Sequence, residues 1–312
     1  MDQTCEPDII IVDDASTDRT VETVENLIAD YPKATLIRQY RNAGPAAARN
    51  QALSVAQTDW VTPLDADDYI APDRLEKMMA IAIDRDWDAI ADDQIRVDSW
   101  DEDAIQKRLW SDEDFGRMDL SLARFVRENI MTHTGLGREL GYIKPLMRND
   151  FLHDNGLRYD EDMRLGEDYD LYCRLMARGG RFGLVDPMGY IAHERPGSLS
   201  RHHRPEDLRQ VLLADRRLLG MRAISPDARK YLHEHAIFSH KKWAWARLRE
   251  AYHNREFFNA LACFAAPPQV IAELFSLLGK QVEKRFRTPR AGSFNFDLLQ
   301  PVKCPAKFYI FF

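Results

Sequence analysis

No run of apolar residues in this chain approaches the ~20 that a membrane-spanning helix needs. The best candidate, Phe257 to Leu278, is broken by Pro267-Pro268 and carries Glu273. Cysteine is scarce. Cys5, Cys173, Cys263 and Cys304 lie far apart with no paired spacing, which excludes a zinc ribbon and a disulfide framework and suits a reducing cytosol. Positive charge is not in excess either: 43 Lys and Arg face 50 Asp and Glu, a net of −7. Such a chain is a poor candidate for coating nucleic acid. Any phosphate it binds must be met by a metal ion or by a few placed arginines. Met1 to Asp8 is polar and acidic, so no signal peptide is expected. There is no internal repeat, and no obvious Cys-His or Ser-His constellation for a protein nucleophile.

What is present suits a globular protein. The 312 residues are 45% apolar and 30% charged, enough to bury a core in one large domain or two ordinary ones. Ile9 to Val12 is a continuous β-branched run that reads as a buried strand. Thr20 to Asp30 carries Val21, Val24, Leu27 and Ile28 at helical spacing, with Ser16, Thr17 and Asp18 as caps. A strand at 35–38, a helix opened by Gly44-Pro45 and running to about Ala56, a strand at 60–64, a helix from Pro72 and a strand at 89–91 follow. This alternation predicts an α/β architecture, a mainly parallel sheet with helices on both faces. In such sheets ligands gather at the carboxyl ends of the strands. The charged, irregular stretch from Trp100 to Gly141 reads as an insertion or lid. A helix over 168–178, stopped by Gly179-Gly180, and short strands at 182–185 and 190–193 complete a first domain, 1–204. From Pro205 the pattern turns helical, giving a second region, 205–312.

Four segments carry chemistry. Asp65-x-Asp67, with Asp68 beside it, follows a buried strand; a single aspartate rarely holds Mg2+ or Mn2+, but paired acids helped by substrate phosphates can. An Asp-rich turn before the next helix is the plainer account of the same residues. Asp13 and Asp14 end the first strand, where carboxylates can accept from a base N–H or ribose hydroxyls. Helix capping explains Ser16 to Asp18 but does not require two adjacent acids. Asn42 to Asn50 is a Gly-Pro turn into a small-residue helix bearing Arg49, which can meet a phosphate or a base edge. Gly166-Glu167-Asp168-Tyr169-Asp170 puts acids at a helix start, where they complement the dipole. A carboxylate there can also act as a general base on a sugar hydroxyl.

Taken in order, Ile-Ile-Ile-Val-Asp-Asp-Ala-Ser-Thr-Asp, Asn-Ala-Gly-Pro-Ala-Ala-Ala-Arg-Asn, Leu-Asp-Ala-Asp-Asp and Gly-Glu-Asp-Tyr-Asp-Leu-Tyr-Cys-Arg-Leu resemble the family 2 glycosyltransferases of the GT-A fold. Arg195 to Arg201 is similar to the family's loop after its last core strand, and the resemblance covers about residues 3–205. It implies inverting transfer of a sugar from a nucleoside diphosphate sugar, with UDP-glucose expected, to a saccharide acceptor. The types it looks like are bacterial exopolysaccharide and lipopolysaccharide enzymes, whose acceptor is expected to be lipid-linked. By this resemblance Asp13 and Asp14 hold base and ribose, Arg49 supports the nucleotide, Asp65 contacts ribose or sugar, and Arg201 reaches the diphosphate. Asp67 binds Mg2+ or Mn2+ with His193 as a further ligand, Asp168 is the general base, and Glu167 orients the acceptor. Nucleic acid is not an expected partner.

The family commonly begins with a further strand and helix, which this sequence does not contain, so a gap is expected at the sheet centre. An inactive, truncated pseudo-glycosyltransferase with a scaffold role is the alternative reading. Ten Lys and Arg face four Glu between Lys241 and Arg290, interleaved with Trp243, Trp245, Phe257, Phe258, Phe264 and Phe275. That pattern suits peripheral docking of a cytoplasmic protein at the inner face of the plasma membrane. The competing account is that these aromatics pack on the first domain.

Overall fold

A computed structural model describes residues 3–101, 104–130, 139–194, 203–287 and 308–311. The first half alternates as the apolar pattern dictates: β1 (Ile9–Asp13), α1 (Thr20–Ile28), β2 (Ala34–Arg38), α2 (Pro45–Val55), β3 (Trp60–Val61), β4 (Pro63–Asp65), β5 (Tyr69–Ile70), α3 (Arg74–Arg85) and β6 (Ala89–Asp92). The strand expected at 60–64 is split in two at Thr62, next to Pro63, whose nitrogen has no hydrogen to give a ladder. Helix α3 stops where Asp86 turns left-handed at φ 51°. Beyond it come β7 (Ile95–Val97), β8 (Gln106–Arg108), β9 (Arg117–Asp119), α4 (Leu122–Glu128), a 3-10 turn (Leu140–Tyr142), β10 (Leu146–Arg148), α5 (Asn149–Asp154), α6 (Glu167–Ala177), β11 (Phe182–Val185) and β12 (Tyr190–His193). The helical region holds α7 (Pro205–Leu219), α8 (Pro226–His253), α9 (Phe257–Ala262) and α10 (Pro268–Arg287), and the last element is β13 (Phe308–Phe311).

The α/β class holds, in mixed sheets. Their strand orders are β2-β1-β13-β4, β3-β10-β6-β11-β9 and β5-β12-β7-β8. The expected predominance of parallel pairing is limited to β1–β2, β6–β11 and β7–β12; the other ladders among the described residues are antiparallel. Parallel pairing needs a long crossover, whereas short strands and tight connections favour antiparallel neighbours.

Two expectations are corrected. The described part of the stretch 100–141 is built into the fold rather than set apart as an insertion: β9 joins the second sheet and α4 packs on α8. Its charges hide a buried face of Leu120, Leu122, Phe125 and Val126. The gap expected at the centre of the first sheet is taken by β13, which pairs antiparallel with β1 on one side and β4 on the other. Tyr309 and Phe311 are buried there. The Phe-Tyr-Ile-Phe run suits a strand, although it falls in the stretch expected to be helical. The main core joins β1, β6, β10 and β11 to α2, α4 and α6, and it continues through Leu218, Ala228 and Leu232 into α7 and α8. The helical region thereby forms one wall of the cavity beside the sheets.

Candidate active site

The site begins at a turn that only glycine tolerates. Gly44 sits at φ 89°, ψ 175° as the N-cap of α2, with Pro45 in the first turn. The Asp14 carboxylate accepts the amides of Ala43 (2.7 Å) and Gly44 (2.9 Å) and so fixes that turn. Asp13 accepts from the amide of Ser16. The small residues Ala46, Ala47, Ala48 and Ala52 let α2 lie close on β1 and β13. That close approach buries Arg49, which is 3% exposed. A cation so deep needs partners, and three carboxylates converge on it. Its Nη1 donates to Glu167 Oε1 (2.8 Å) and Asp168 Oδ1 (3.1 Å), and its Nη2 donates to Asp65 Oδ1 (2.8 Å).

Lys144, just ahead of β10 and 5% exposed, completes the cluster. Its Nζ reaches Asp168 Oδ2 at 2.8 Å and Asp65 Oδ2 at 3.2 Å. Three acids and two bases thus interlock with one negative charge in excess. Burial pushes the Asp65 carboxyl up, but the charges of Lys144 and Arg49 outweigh it and hold the group well below the usual carboxylate range. Glu167 goes the other way: burial and then the charge of Asp168 raise it. Burial works against the charged form of Lys144, but Asp168 and Asp65 raise its pKa overall. Behind the cluster, fully buried Arg74 donates to Asp92 Oδ1 and to the Lys144 carbonyl, each at 2.7 Å. Asp92 Oδ2 in turn accepts the amides of Met188 and Tyr190. This hub ties the Lys144 backbone to the start of β12.

The two acids of α6 owe their place to Gly166, which caps the helix in the left-handed conformation at φ 75°. A Cβ on Gly166 would meet Val211 of α7 at 3.1 Å, so the turn is tight as well as left-handed. Beside them, Asp65 ends β4, and Asp67, two residues on, lines the cavity. Asp68 accepts from the Tyr190 hydroxyl (2.6 Å) and the His193 amide (3.0 Å). Burial, then the charge of Asp65, push Asp68 up to about 7.

The ion-pair cluster faces a cavity of about 1120 Å3. Arg49, Asp65, Asp67, Glu167, Asp168 and His193 line it together, so these expected residues meet in space. Asp13 and Asp14 do not line it. Tyr309 of β13 stands between, opposite Val12 on one side and Asp65 on the other, with its ring 5.6 Å from the Arg49 guanidinium. Arg201 lies outside the described residues. Among the described residues, no group of three or more His, Cys, Asp or Glu is arranged to hold a metal ion. Lys144 is the functional side chain that the motifs do not reveal. The one available signal is a lysine between apolar Ile143 and Pro145, at the edge of a strand.

The sequence profile of glycosyl transferase family 2 matches residues 2–147. Succinoglycan biosynthesis protein ExoU of Rhizobium meliloti is 35% identical over 252 residues, which is 81% of this chain and 70% of ExoU. ExoO, a succinoglycan biosynthesis protein of the same organism, is 34% identical over 293 residues, 92% of this chain and 81% of ExoO. Among solved structures, Staphylococcus aureus TarS 1-349 in complex with UDP-GlcNAc matches with a TM-score of 0.63 at 18% identity, over 94% of this chain and 87% of that one. A longer TarS structure matches at 0.59 and 19% identity, over 92% of this chain and 49% of its own length. At those identities the structural likeness is one of fold.

Proposed function

Since the chain belongs to glycosyltransferase family 2, we propose that it moves a sugar from a nucleoside diphosphate sugar to a saccharide hydroxyl, inverting the transferred carbon. The observation that carries this reading is the cluster of buried Glu167 and Asp168 and half-buried Asp65 on Arg49 and Lys144. Asp168 is the general base: it takes the acceptor hydroxyl proton as that oxygen bonds to the sugar carbon and the bond to the diphosphate breaks. Arg49 and Lys144 each hold one of its carboxylate oxygens and so fix its direction. Glu167 orients the acceptor and Asp65 meets the donor's ribose or sugar, while Asp13 and Asp14, whose carboxylates accept the amides of Ser16, Ala43 and Gly44 outside the cavity lining, shape the turn into α2 rather than touch the donor. A single displacement needs one base and no protein nucleophile.

Asp67 and His193 both line the cavity; the Asp67 carboxylate suits Mg2+ or Mn2+ when phosphate oxygens and water fill the remaining positions, with the His193 imidazole as the proposed further ligand. The ion would offset the charge gathered by the leaving diphosphate. UDP-glucose is the proposed donor; the UDP-GlcNAc held by TarS supports the nucleotide. The succinoglycan relatives support an exopolysaccharide acceptor, proposed to be lipid-linked. Calorimetric titration of UDP-sugars and GDP-sugars in the presence of Mn2+ tests the reading, with Asp67→Asn alongside. Saturable binding of a UDP-sugar that weakens sharply in the variant is expected. Absence of binding by every nucleotide sugar sinks it and favours a scaffold role.

We also propose that α9 and α10 touch the cytoplasmic membrane face. No helix among the described residues is long and apolar enough to cross a membrane. Trp245 and Phe264 pack onto the α8–α10 core, but Phe257 and Phe258 are 78% and 88% exposed, with Phe275 also outward. Aromatics beside basic residues suit an anionic lipid surface. Salt-sensitive sedimentation with anionic vesicles is expected, and none at low salt removes the proposal.

A further inference from the structure

The cavity has a second wall, built by α7 and α8, to which no motif assigns a role. It presents Leu208, Val211, His235, Phe238 and Ser239. Behind it lies a buried polar trio. Asp215 of α7 is fully buried and accepts from the Tyr169 hydroxyl (2.9 Å) and from His235 Nδ1 (2.8 Å). With a carboxylate as its partner, Nδ1 carries the hydrogen, so the tautomer is set and Nε2 is the ring nitrogen left for a ligand in the cavity. The imidazole is also held by the Tyr169 ring, 4.7 Å away centroid to centroid. Tyr169 follows Asp168 directly on α6, so one side chain connects this histidine to the proposed base.

An imidazole fixed by a buried acid at a cavity wall is more than core packing requires. Phenylalanine or leucine would fill the same space without burying a carboxylate. The surroundings specify the ligand class. A sugar ring has an apolar face, which Phe238, Leu208 and Val211 suit, and hydroxyls, which His235 Nε2 and Ser239 suit. The α7 and α8 lining carries one cation, Lys242, whose ammonium lies 4.3 Å from the Phe238 ring centroid, and no carboxylate or guanidinium, in contrast to the acid-rich side that would meet a diphosphate.

We propose that this wall is the acceptor subsite, and that His235 accepts a hydrogen bond through Nε2 from a hydroxyl of an acceptor hexoside, next to the hydroxyl that Asp168 deprotonates. Asp215 and Tyr169 are positioning residues for that imidazole. The inference rests on the glycosyltransferase reading above and adds the acceptor side to it.

The test uses the full chain with Mn2+, UDP-glucose as donor, and hexyl glucoside and hexyl galactoside as acceptor probes. His235→Ala is expected to raise the acceptor KM about tenfold, the effect of one lost hydrogen bond. UDP affinity by calorimetry stays within about twofold, which also reports on folding. If His235→Ala does not fold, His235→Gln replaces it, with the same KM shift expected in smaller degree. An unchanged acceptor KM in a folded variant overturns the subsite, as does a parallel loss of UDP affinity. A wild type that binds UDP but transfers to neither hexoside overturns the hexoside class. A wild type that binds no nucleotide overturns the glycosyltransferase reading itself.

Discussion

On the side of the cavity supplied by α2, β4, α6 and the residue ahead of β10, Arg49, Asp65, Lys144, Glu167 and Asp168 interlock over 2.8 to 3.2 Å. On the side supplied by α7 and α8, Leu208, Val211, His235, Phe238, Ser239 and Lys242 line the cavity. The first side comes from strand ends and a helix start, where backbone geometry aims several short side chains at one point. The second comes from long helices, which present a row of spaced side chains and leave room between them. Charge density belongs to the side that would meet a diphosphate and move a proton. Adaptable apolar surface belongs to the side that would take a sugar ring. Selective damage to one side should therefore leave the signature of the other intact.

Arg49→Met should break the comparison most. It leaves buried Glu167 without its ion-pair partner and Asp168 and half-buried Asp65 with Lys144 alone, and removal of one partner from a buried ion network costs about 3–5 kcal/mol. Denaturant unfolding should show that loss, and a loss below about 1 kcal/mol would mean Arg49 does not hold the charged side together. Lys144→Met keeps the volume but frees one oxygen each of Asp168 and Asp65. We expect kcat for transfer to fall about 100-fold, equivalent to about 2.7 kcal/mol, without the rise in acceptor KM that marks the opposite wall. A change confined to acceptor KM would put Lys144 on the wrong side of the comparison.

The smallest effect concerns Asp68, whose folded pKa of about 7 lies above the ~3.9 of an unfolded aspartate. Between those values the folded state holds a proton that the unfolded chain releases. Its contribution to stability is therefore present below about pH 4 and is lost as pH rises through about 7. Asp68→Asn removes the titration. Melting temperature should fall less from pH 5 to pH 8 in the variant than in the parent chain, and equal falls would show that another group sets the slope.

Much of this arrangement was legible in the sequence. Ile9 to Val12 read as a buried strand, which placed the acids after it and after Leu64 at strand ends. Arg49, Asp65, Glu167 and Asp168, far apart in the chain, do converge. Lys144 escaped because a single lysine among apolar residues has no periodicity, and its meaning arises only when β10 lies beside β6 and Arg74 pins its carbonyl. His235 escaped for a related reason. Its role depends on Asp215 and Tyr169, which lie 20 and 66 residues away, and helical spacing along α8 says nothing of either. The filling of the first sheet by β13 was illegible because pairing between Ile10 and Phe311 spans almost the whole chain and no local pattern announces it.

The central claim is that the charged side carries proton transfer while binding of the donor is shared more widely. Asp168→Asn, titrated with UDP-glucose and Mn2+ by calorimetry and assayed for transfer in the same preparation, tests it most directly. The account predicts donor affinity within about threefold of the parent and transfer reduced by about 1000-fold, within the range of a lost general base. Transfer within about tenfold of the parent, with affinity unchanged, would contradict it and put the base elsewhere in the cavity.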